Sequence, residues 1–237
     1  MLSVIIPTYN EAENIPALLT RLEAVRSQLQ EPFEVLIIDG GSLDATAPVA
    51  RRLLAESGLG QLIALTGPAD LARAVCEGMR QAQGDVWVVM DADLSHPPEL
   101  IPVLAQAVRD GCEVAVASRY VAGGGIAGWP WHRRWLSWLG NVVARPLTTV
   151  RDATSGYFAC RADVVRALSW NPTGFKILIE LFVAARVTRV REVPYVFQDR
   201  RFGSSKLGAR VCGRYLTRLL CLYAARWKLR VITGISV

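Results

Sequence analysis

Cysteine, histidine and long apolar runs are scarce in this 237-residue chain. Its five cysteines are scattered and none forms a C-x-x-C pair, so we expect neither a disulfide framework nor a zinc site, and we expect a reducing cytosol. Neither of its two histidines, His96 and His132, lies in a pattern that predicts acid–base chemistry. No stretch approaches the roughly 20 apolar residues that span a bilayer, and no signal peptide is visible at the amino terminus.

Two familiar phosphate-binding motifs are also missing. No G-x-G-x-x-G follows the first predicted strand, and no G-x-x-x-x-G-K-[ST] occurs anywhere in the sequence. These absences argue against a dinucleotide dehydrogenase and against a P-loop NTPase. Phosphate would have to be held by a metal ion and by cationic side chains.

Positive charge is in excess, with 27 Lys and Arg against 21 Asp and Glu and a net charge of +6. This balance favours an anionic partner: nucleic acid, a phosphorylated substrate or an acidic membrane. The basic residues are dense in two zones, 133–166 and 186–230. We expect no nucleic-acid partner, because nucleic acid would explain the charge but not the paired acids described below.

The first 120 residues alternate short apolar runs with helical patterns. Alternation at these lengths predicts βαβ units around a mostly parallel central sheet, an α/β fold. The predicted strands are Ser3–Pro7, Glu34–Asp39, Gln61–Leu65, Val86–Met90 and Glu113–Ser118. The predicted helices are Asn14–Leu29, Thr46–Glu56, 70–82 and 97–110.

Two of these strands run into carboxylates, one at Asp39 and one at Asp91, which Asp93 follows. In open parallel sheets the ligand crevice lies beyond the carboxyl ends of the strands, so these acids should face one cleft. Carboxylates near a core need a cationic partner, and Mg²⁺ or Mn²⁺ bound to substrate phosphates is a suitable one. The alternative is a solvated loop in which Asp93 or Ser95 caps the next helix.

Tryptophan and arginine are concentrated after residue 120. Four of the seven tryptophans lie in Trp129–Trp138, beside Arg133 and Arg134. This mixture suits a membrane–water interface, but a helix that packs its tryptophans into the core stays equally open. We divide the chain into a domain at 1–209 and a basic amphipathic tail at 210–237, either a surface helix of the domain or a membrane-interface anchor.

Nine segments of the chain, in this order, resemble those of the inverting glycosyltransferases of family 2, which have the GT-A fold. Within that family they are most similar to dolichyl- or polyprenyl-phosphate mannose synthases. The segments are Ile6–Glu11, Ile37–Ser42, Asp91–Glu99, Ala117–Tyr120, Arg133–Asn141, Asp152–Gly156, Gly174–Glu180, Val193–Pro194 and Arg200–Lys206.

The resemblance implies transfer of mannose from GDP-mannose to a polyprenyl monophosphate, with inversion and with Mg²⁺ or Mn²⁺. It places the protein peripherally on the cytoplasmic face of a membrane with an anionic surface. UDP-glucose or another sugar nucleotide as donor stays open, as does a noncatalytic scaffold subunit that keeps the fold. A separate membrane-anchor subunit is also left open.

The resemblance also implies roles for individual residues. Asp91 and Asp93 would hold the metal, and Gly40 replaces a second acid that is expected to read the nucleotide base in relatives. For the acids after the first strand a structural role is the alternative, because Asn10-x-x-Glu13 resembles a helix capping box. Donor binding would involve Pro7, Tyr9, Glu11, Ile38, Asp39, Asp91, Ala92, Asp93, Ser95, Arg200 and Lys206.

The acceptor's phosphate would meet a second group of residues: Arg119, Arg133, Arg134 and Ser137. A surface ion pair is the alternative for Arg119. Catalysis is expected to rest on Asp93, Arg119, Arg200 and Lys206, which would position the reactants and stabilise charge. No general base is needed, because the attacking phosphate oxygen is already anionic at neutral pH.

Overall fold

A seven-stranded sheet forms the centre of the protein, whose structure is a computed structural model describing residues 1–168, 172, 176–199 and 209–233. The strands are β1 (Leu2–Thr8), β2 (Phe33–Asp39), β3 (Gly60–Ala64), β4 (Val86–Val89), β5 (Val114–Ser118), β6 (Gly125–Ile126), β7 (Phe158–Arg161), β8 (Val190–Pro194) and β9 (Val196–Phe197). The helices are α1 (Ile15–Gln28), α2 (Thr46–Ser57), α3 (Leu71–Gln81), α4 (Ile101–Arg109), α5 (Trp131–Ala144), α6 (Ala162–Arg166), α7 (Ile177–Ala185) and α8 (Ala209–Thr233).

The strand order is β3-β2-β1-β4-β7-β5-β8, and β7 is antiparallel to both of its neighbours. The other neighbouring strands pair in parallel. The carboxyl ends of β1, β2, β4 and β5 therefore share one edge, which we call the ligand edge. Because β7 runs the other way, residues 152–157, which we call the junction segment, enter the sheet from that same edge.

Helices cover both faces of the sheet, which is why its strands are apolar on both sides. One face packs against α1, α2 and α4, with Leu22, Leu54 and Leu104 fully or nearly fully buried. The opposite face packs against α3, α7 and α8 through residues such as Met79 and Leu181.

The predicted strands and helices are confirmed, and most ends are displaced by a single residue. The helix predicted at 97–110 begins instead at Ile101, after a 3₁₀ turn at Pro98–Leu100. A proline lacks an N–H and fits only the first turn of a helix, so Pro102 marks the true start. The capping box is wrong: Asn10 has φ 58°, its Oδ1 accepts a hydrogen bond from the Leu43 N–H, and α1 begins only at Ile15.

The described part of the tail, α8, packs against the domain. Leu219 and Leu222 are buried in the core, and Arg218 forms an ion pair with the buried carboxylate of Glu180. Leu216 and Leu220, on the other side of α8, are exposed. No helix in the described part of the chain has the length and apolar character needed to cross a membrane.

Candidate active site

The ligand edge brings three strand ends together. Thr8, at the end of β1, pairs in register with Asp39 at the end of β2. On the other side of β1, Ile5 pairs with Val89, so Asp91 emerges at the same edge two residues later. The predicted meeting of the two acidic strand ends is confirmed by this pairing.

Asp39 is buried and organises the turn that follows β2. Its carboxylate accepts hydrogen bonds from the N–H and the hydroxyl of Ser42. Ile38 packs its side chain into the core, so it offers a ligand only its backbone. A Cβ on Gly40 would lie 3.3 Å from the Thr8 carbonyl oxygen, so a side chain at this position would make a tight contact with β1.

The turn after β1 places the next candidates beside this acid. Pro7 and Tyr9 are half-buried where the strand ends. Glu11 Oε2 accepts a hydrogen bond of 2.6 Å from Asn14 Nδ2, and the Glu11 N–H donates to Thr46 Oγ1. The Glu11 carboxylate is therefore held in a fixed position at the start of α1.

Asp91 and Asp93 differ in exposure, although they are two residues apart. The side chain of Asp91 is 44 % exposed, whereas Asp93 is buried. Asp93 Oδ1 accepts hydrogen bonds from the N–H and the hydroxyl of Ser95, at 3.1 and 2.6 Å, and Ala92 is buried between the two acids. Neither Asp93 nor Ser95 caps a helix, so that alternative is wrong: the 3₁₀ turn follows Pro97.

His96 fixes this loop, a role that the sequence did not indicate. Its Nδ1 accepts a 3.0 Å hydrogen bond from the Asp91 N–H, and its ring stacks on Tyr157 at 5.0 Å. Burial lowers the pKa of His96 despite the neighbouring carboxylates, so the imidazole is neutral near pH 7. The 3.8 Å approach of Nδ1 to Asp91 Oδ2 is consequently not an ion pair.

The chemistry of the two carboxylates fits a hard divalent cation. Within the described residues no group of three or more His, Cys, Asp or Glu side chains could hold a metal alone, so further ligands would come from substrate phosphate and water. Space for them exists beside Asp91, where Gly156 lacks a side chain. A Cβ there would lie 3.5 and 3.7 Å from the Asp91 oxygens.

Arg119, at the end of β5, makes a buried ion pair with Asp152 of the junction segment. Its Nε and Nη2 donate to the two oxygens of Asp152 at 2.8 and 2.7 Å, and Nη2 also donates to Thr154 Oγ1. Burial alone would lower the pKa of Arg119, but the Asp152 carboxylate outweighs it and the pKa is raised. The alternative of a surface ion pair is wrong, because both partners are buried.

The other acceptor candidates lie on α5, some on its inner side, which faces the domain, and one on its outer side, which faces solvent. Arg133 stacks on Trp129, with Cζ 3.9 Å from the ring centroid, and Arg119 approaches the same ring at 5.9 Å. Ser137 is half-buried on the inner side with Arg133, whereas Arg134 is exposed on the outer side. The structure thus gathers Arg119, Arg133 and Ser137 and leaves Arg134 apart.

Three tryptophans of α5 form a surface stripe. Trp131, Trp135 and Trp138 are 79, 55 and 46 % exposed, and their spacing puts them on one side of the helix. We call them the tryptophan stripe. Packing of the tryptophans into the core is wrong for these three, whereas Trp129 is half-buried against Phe197.

Lys176 is a second residue that sequence reasoning left without a role. Its Nζ donates a 2.9 Å hydrogen bond to the Thr154 carbonyl oxygen in the junction segment. Burial, and secondly the charge of Arg119, lower the pKa of Lys176 to about 8. The position of Lys176 within the Gly174–Glu180 segment was the only available signal. Arg200 and Lys206, the predicted diphosphate ligands, lie outside the described residues.

Comparison with known proteins identifies the family. Residues 3–169 match the profile of Glycosyl transferase family 2. The chain is 39 % identical to a dolichol-phosphate mannosyltransferase of Pyrococcus furiosus, over 92 % of this chain but only 62 % of that relative. It is 35 % identical to the Saccharomyces cerevisiae dolichol-phosphate mannosyltransferase, covering 95 % of this chain and 88 % of the relative. It is also 35 % identical to the undecaprenyl-phosphate mannosyltransferase of Micrococcus luteus, covering 94 and 95 %.

Solved structures agree on the fold. Mannosyl-3-phosphoglycerate synthase from Rubrobacter xylanophilus has a TM-score of 0.70 at 17 % identity, covering 100 % of this chain and 76 % of its own. Glucosyl-3-phosphoglycerate synthase from Mycobacterium tuberculosis, solved with Mn²⁺, UDP-glucose and phosphoglyceric acid, has a TM-score of 0.69 at 17 % identity, covering 95 and 79 %. The predicted GT-A fold is confirmed, and the chain is a glycosyltransferase that belongs to glycosyl transferase family 2.

Proposed function

We propose that this enzyme transfers mannose from GDP-mannose to a polyprenyl monophosphate with inversion at the sugar's anomeric carbon. The carrying observation is that relatives covering nearly the whole chain are dolichol- and undecaprenyl-phosphate mannosyltransferases. They support a polyprenyl-phosphate glycosyltransferase as the general class, and the mannosyl donor is our more specific proposal.

The donor side of the site would be the acidic part of the ligand edge. Asp91 and Asp93 would hold Mg²⁺ or Mn²⁺, whose chemistry is to neutralise charge on the departing diphosphate. Ser95 keeps Asp93 oriented through two hydrogen bonds, and His96 fixes the Asp91 backbone. The nucleotide would lie against Pro7, Tyr9, Glu11 and Asp39. From the resemblance alone, Arg200 and Lys206 would add cationic contacts to the diphosphate.

The acceptor side would be the basic part of the same edge. A phosphate monoester is already anionic at neutral pH, so the chain needs cations to orient it rather than a base to activate it. Arg133 and Ser137 would meet the phosphate, and Arg119 would contribute positive charge from its buried pair with Asp152. The neutral, hydrogen-bonded state of His96 is consistent with a reaction that uses no histidine base.

The tryptophan stripe would bring the acceptor side to the lipid. Indole rings favour the membrane–water interface, and Arg134 lies beside the stripe on the outer side of α5. We place the enzyme peripherally on the cytoplasmic face of a membrane. A partner subunit that anchors it remains compatible with this arrangement.

A donor panel tests the proposal. Labelled GDP-mannose, UDP-glucose and UDP-galactose are each incubated with a polyprenyl phosphate in detergent, with Mg²⁺ or Mn²⁺ and with EDTA. We expect lipid-linked product from GDP-mannose alone, and loss of product in EDTA that returns on adding metal. Preference for UDP-glucose would contradict the mannosyl donor, and full activity in EDTA would contradict the metal.

A further inference from the structure

A cavity of 360 Å³ opens beside the acceptor side of the site. It lies between the carboxyl-terminal half of α5 and the segments that flank β5 and β7. Its lining consists of Tyr120, Trp138, Asn141, Val142, Arg145 and Arg151. The volume falls within the range of small-ligand sites.

The polar part of this cavity suits an anion. Arg145 and Arg151 are both exposed and line it, and none of the described lining residues is acidic. Two acids near Arg151 are engaged elsewhere: Glu192 accepts hydrogen bonds from the backbone N–H groups of Arg151 and Asp152, and the Asp152 carboxylate pairs with Arg119. The two guanidinium groups can therefore meet a phosphate with little competition from a carboxylate.

The cavity also contains a hydroxyl group that could donate a hydrogen bond to an anion. The Tyr120 hydroxyl is buried and makes no hydrogen bond of good geometry, although Ser137 and Asn141 lie beside it. Asn141 is itself engaged, since its Oδ1 accepts from the Thr154 N–H and its Nδ2 donates to the Ser137 carbonyl. A phosphate oxygen in the cavity would offer this hydroxyl a well-aligned acceptor.

The remaining walls are apolar and lead to the surface that we assign to the membrane. Trp138 and Val142 line the cavity, and Trp138 is also part of the tryptophan stripe. An occupant with a phosphate and an acyl chain would place its phosphate on the arginines and its chain along the stripe. A free phosphate would use only the first of these features.

We propose that this cavity binds the headgroup phosphate of an anionic phospholipid, as a site separate from the one that presents the transferred acceptor. This inference rests on the proposed work of the enzyme at a membrane, and not on the identity of the sugar donor. The bound lipid orients α5 with its stripe towards the bilayer. It also keeps the ligand edge at the height of the acceptor phosphate.

Vesicle binding tests the site. Full-length protein is sedimented with phosphatidylcholine vesicles, with or without phosphatidylglycerol, at constant ionic strength. Arg145→Gln/Arg151→Gln is compared with Arg51→Gln/Arg52→Gln, which removes the same charge from exposed positions of α2, at the β3 end of the sheet. We expect the cavity variant to lose roughly tenfold or more of its binding to phosphatidylglycerol vesicles, and the α2 variant to lose far less.

Two further measurements separate other occupants. In detergent without phospholipid, the cavity variant should transfer sugar to polyprenyl phosphate at the wild-type rate; an increased acceptor KM would assign the cavity to the acceptor and overturn the proposal. Calorimetry with monomeric short-chain phosphatidylglycerol should show tighter binding than inorganic phosphate, and equal affinities would overturn the lipid assignment. Equal vesicle binding by the two double variants would also overturn it. Vesicle binding is measured without turnover, so it decides this site even if the donor panel fails.

Discussion

The two halves of the ligand edge carry opposite charges. The half built on β1, β2 and β4 presents Asp39, Asp91 and Asp93, whereas the half built on β5 and α5 presents Arg119 and Arg133. The junction segment joins them. Under the proposed function this difference would let one cleft hold two phosphate-bearing substrates, one through a cation on carboxylates and the other directly on guanidinium groups.

The halves also differ in how their charges are used. Arg119 gives its Nε and Nη2 to a buried carboxylate, so much of its hydrogen-bonding capacity stabilises the fold. The Asp91 carboxylate keeps 44 % exposure at the cleft. Charged residues at the strand ends therefore divide their hydrogen-bonding capacity between the fold and the cleft, in different proportions in the two halves.

The largest expected effect on activity is at the acidic half. Asp93→Asn should lower kcat by about a thousandfold, because an amide keeps the shape but not the charge that a metal needs. Labelled sugar transfer measures the loss, and thermal unfolding should remain near wild type. Asp163→Asn, at an exposed acid, is the matched control. Wild-type turnover by Asp93→Asn would contradict the proposal that Asp93 holds a metal needed for transfer.

The largest expected effect on stability is at the basic half. Asp152→Asn should lower the free energy of unfolding by about 3–5 kcal/mol, because it leaves the buried Arg119 guanidinium without its counter-charge. Urea unfolding provides the measurement. The double variant Arg119→Met/Asp152→Leu, which removes both charges, should be more stable than the single one. A single variant as stable as wild type would show that the pair is not a structural anchor.

Adding a single methyl group to the junction segment should lower sugar transfer. Gly156→Ala should lower transfer by about tenfold to a hundredfold, because its Cβ would take space 3.5 Å from Asp91 Oδ2. Unfolding should change little, since the distance to His96 Cε1 would be an ordinary 3.4 Å. Gly213→Ala is the control, with nothing within 4 Å of its Cβ. Unchanged transfer would mean that no ligand uses the space beside Asp91.

Exposed apolar residues should contribute to membrane binding only if they lie on α5. Trp131→Ala/Trp135→Ala should weaken vesicle binding by roughly tenfold or more, because two indoles leave the interface. Leu43→Ala changes a residue that is 87 % exposed in the acidic half and should have no effect. Flotation with vesicles compares them. Equal loss in both variants would contradict an oriented contact through α5.

The smallest expected effect is on stability, from substitution of Glu113 at the edge of the sheet opposite the ligand edge. Glu113 accepts hydrogen bonds from the backbone N–H groups of Arg189 and Thr188, and that of Arg189 is the main cause that lowers the pKa of Glu113. A lowered folded-state pKa gives stability that is present above the unfolded value and is lost as pH falls through the folded one.

Glu113→Gln should therefore lower the free energy of unfolding by about 1 kcal/mol or less near pH 7. The difference in unfolding free energy between Glu113→Gln and wild type should become smaller as the pH falls below 4.5, the ordinary pKa of glutamate. Urea unfolding across pH measures it, and sugar transfer should be unchanged. A marked loss of transfer would show that acids far from the ligand edge also serve the reaction.

Local patterns were enough to predict the acidic half. Its strands are consecutive parallel units, so Asp39 and Asp91 reach one edge by simple alternation. The basic half depends on β7, which inserts antiparallel between β4 and β5. That long-range pairing creates the Arg119–Asp152 contact, the stacking of His96 on Tyr157 and the Lys176 hydrogen bond, and no local period in the sequence encodes it.

Nucleotide calorimetry on three forms of the enzyme tests the division between the halves most directly. GDP is titrated in Mn²⁺ into wild type, Asp93→Asn and Arg133→Gln, and the acceptor KM is measured for Arg133→Gln. We predict metal-dependent GDP binding that Asp93→Asn loses and Arg133→Gln keeps, with a raised KM for polyprenyl phosphate in Arg133→Gln. Loss of GDP binding in Arg133→Gln together with its retention in Asp93→Asn would contradict the account.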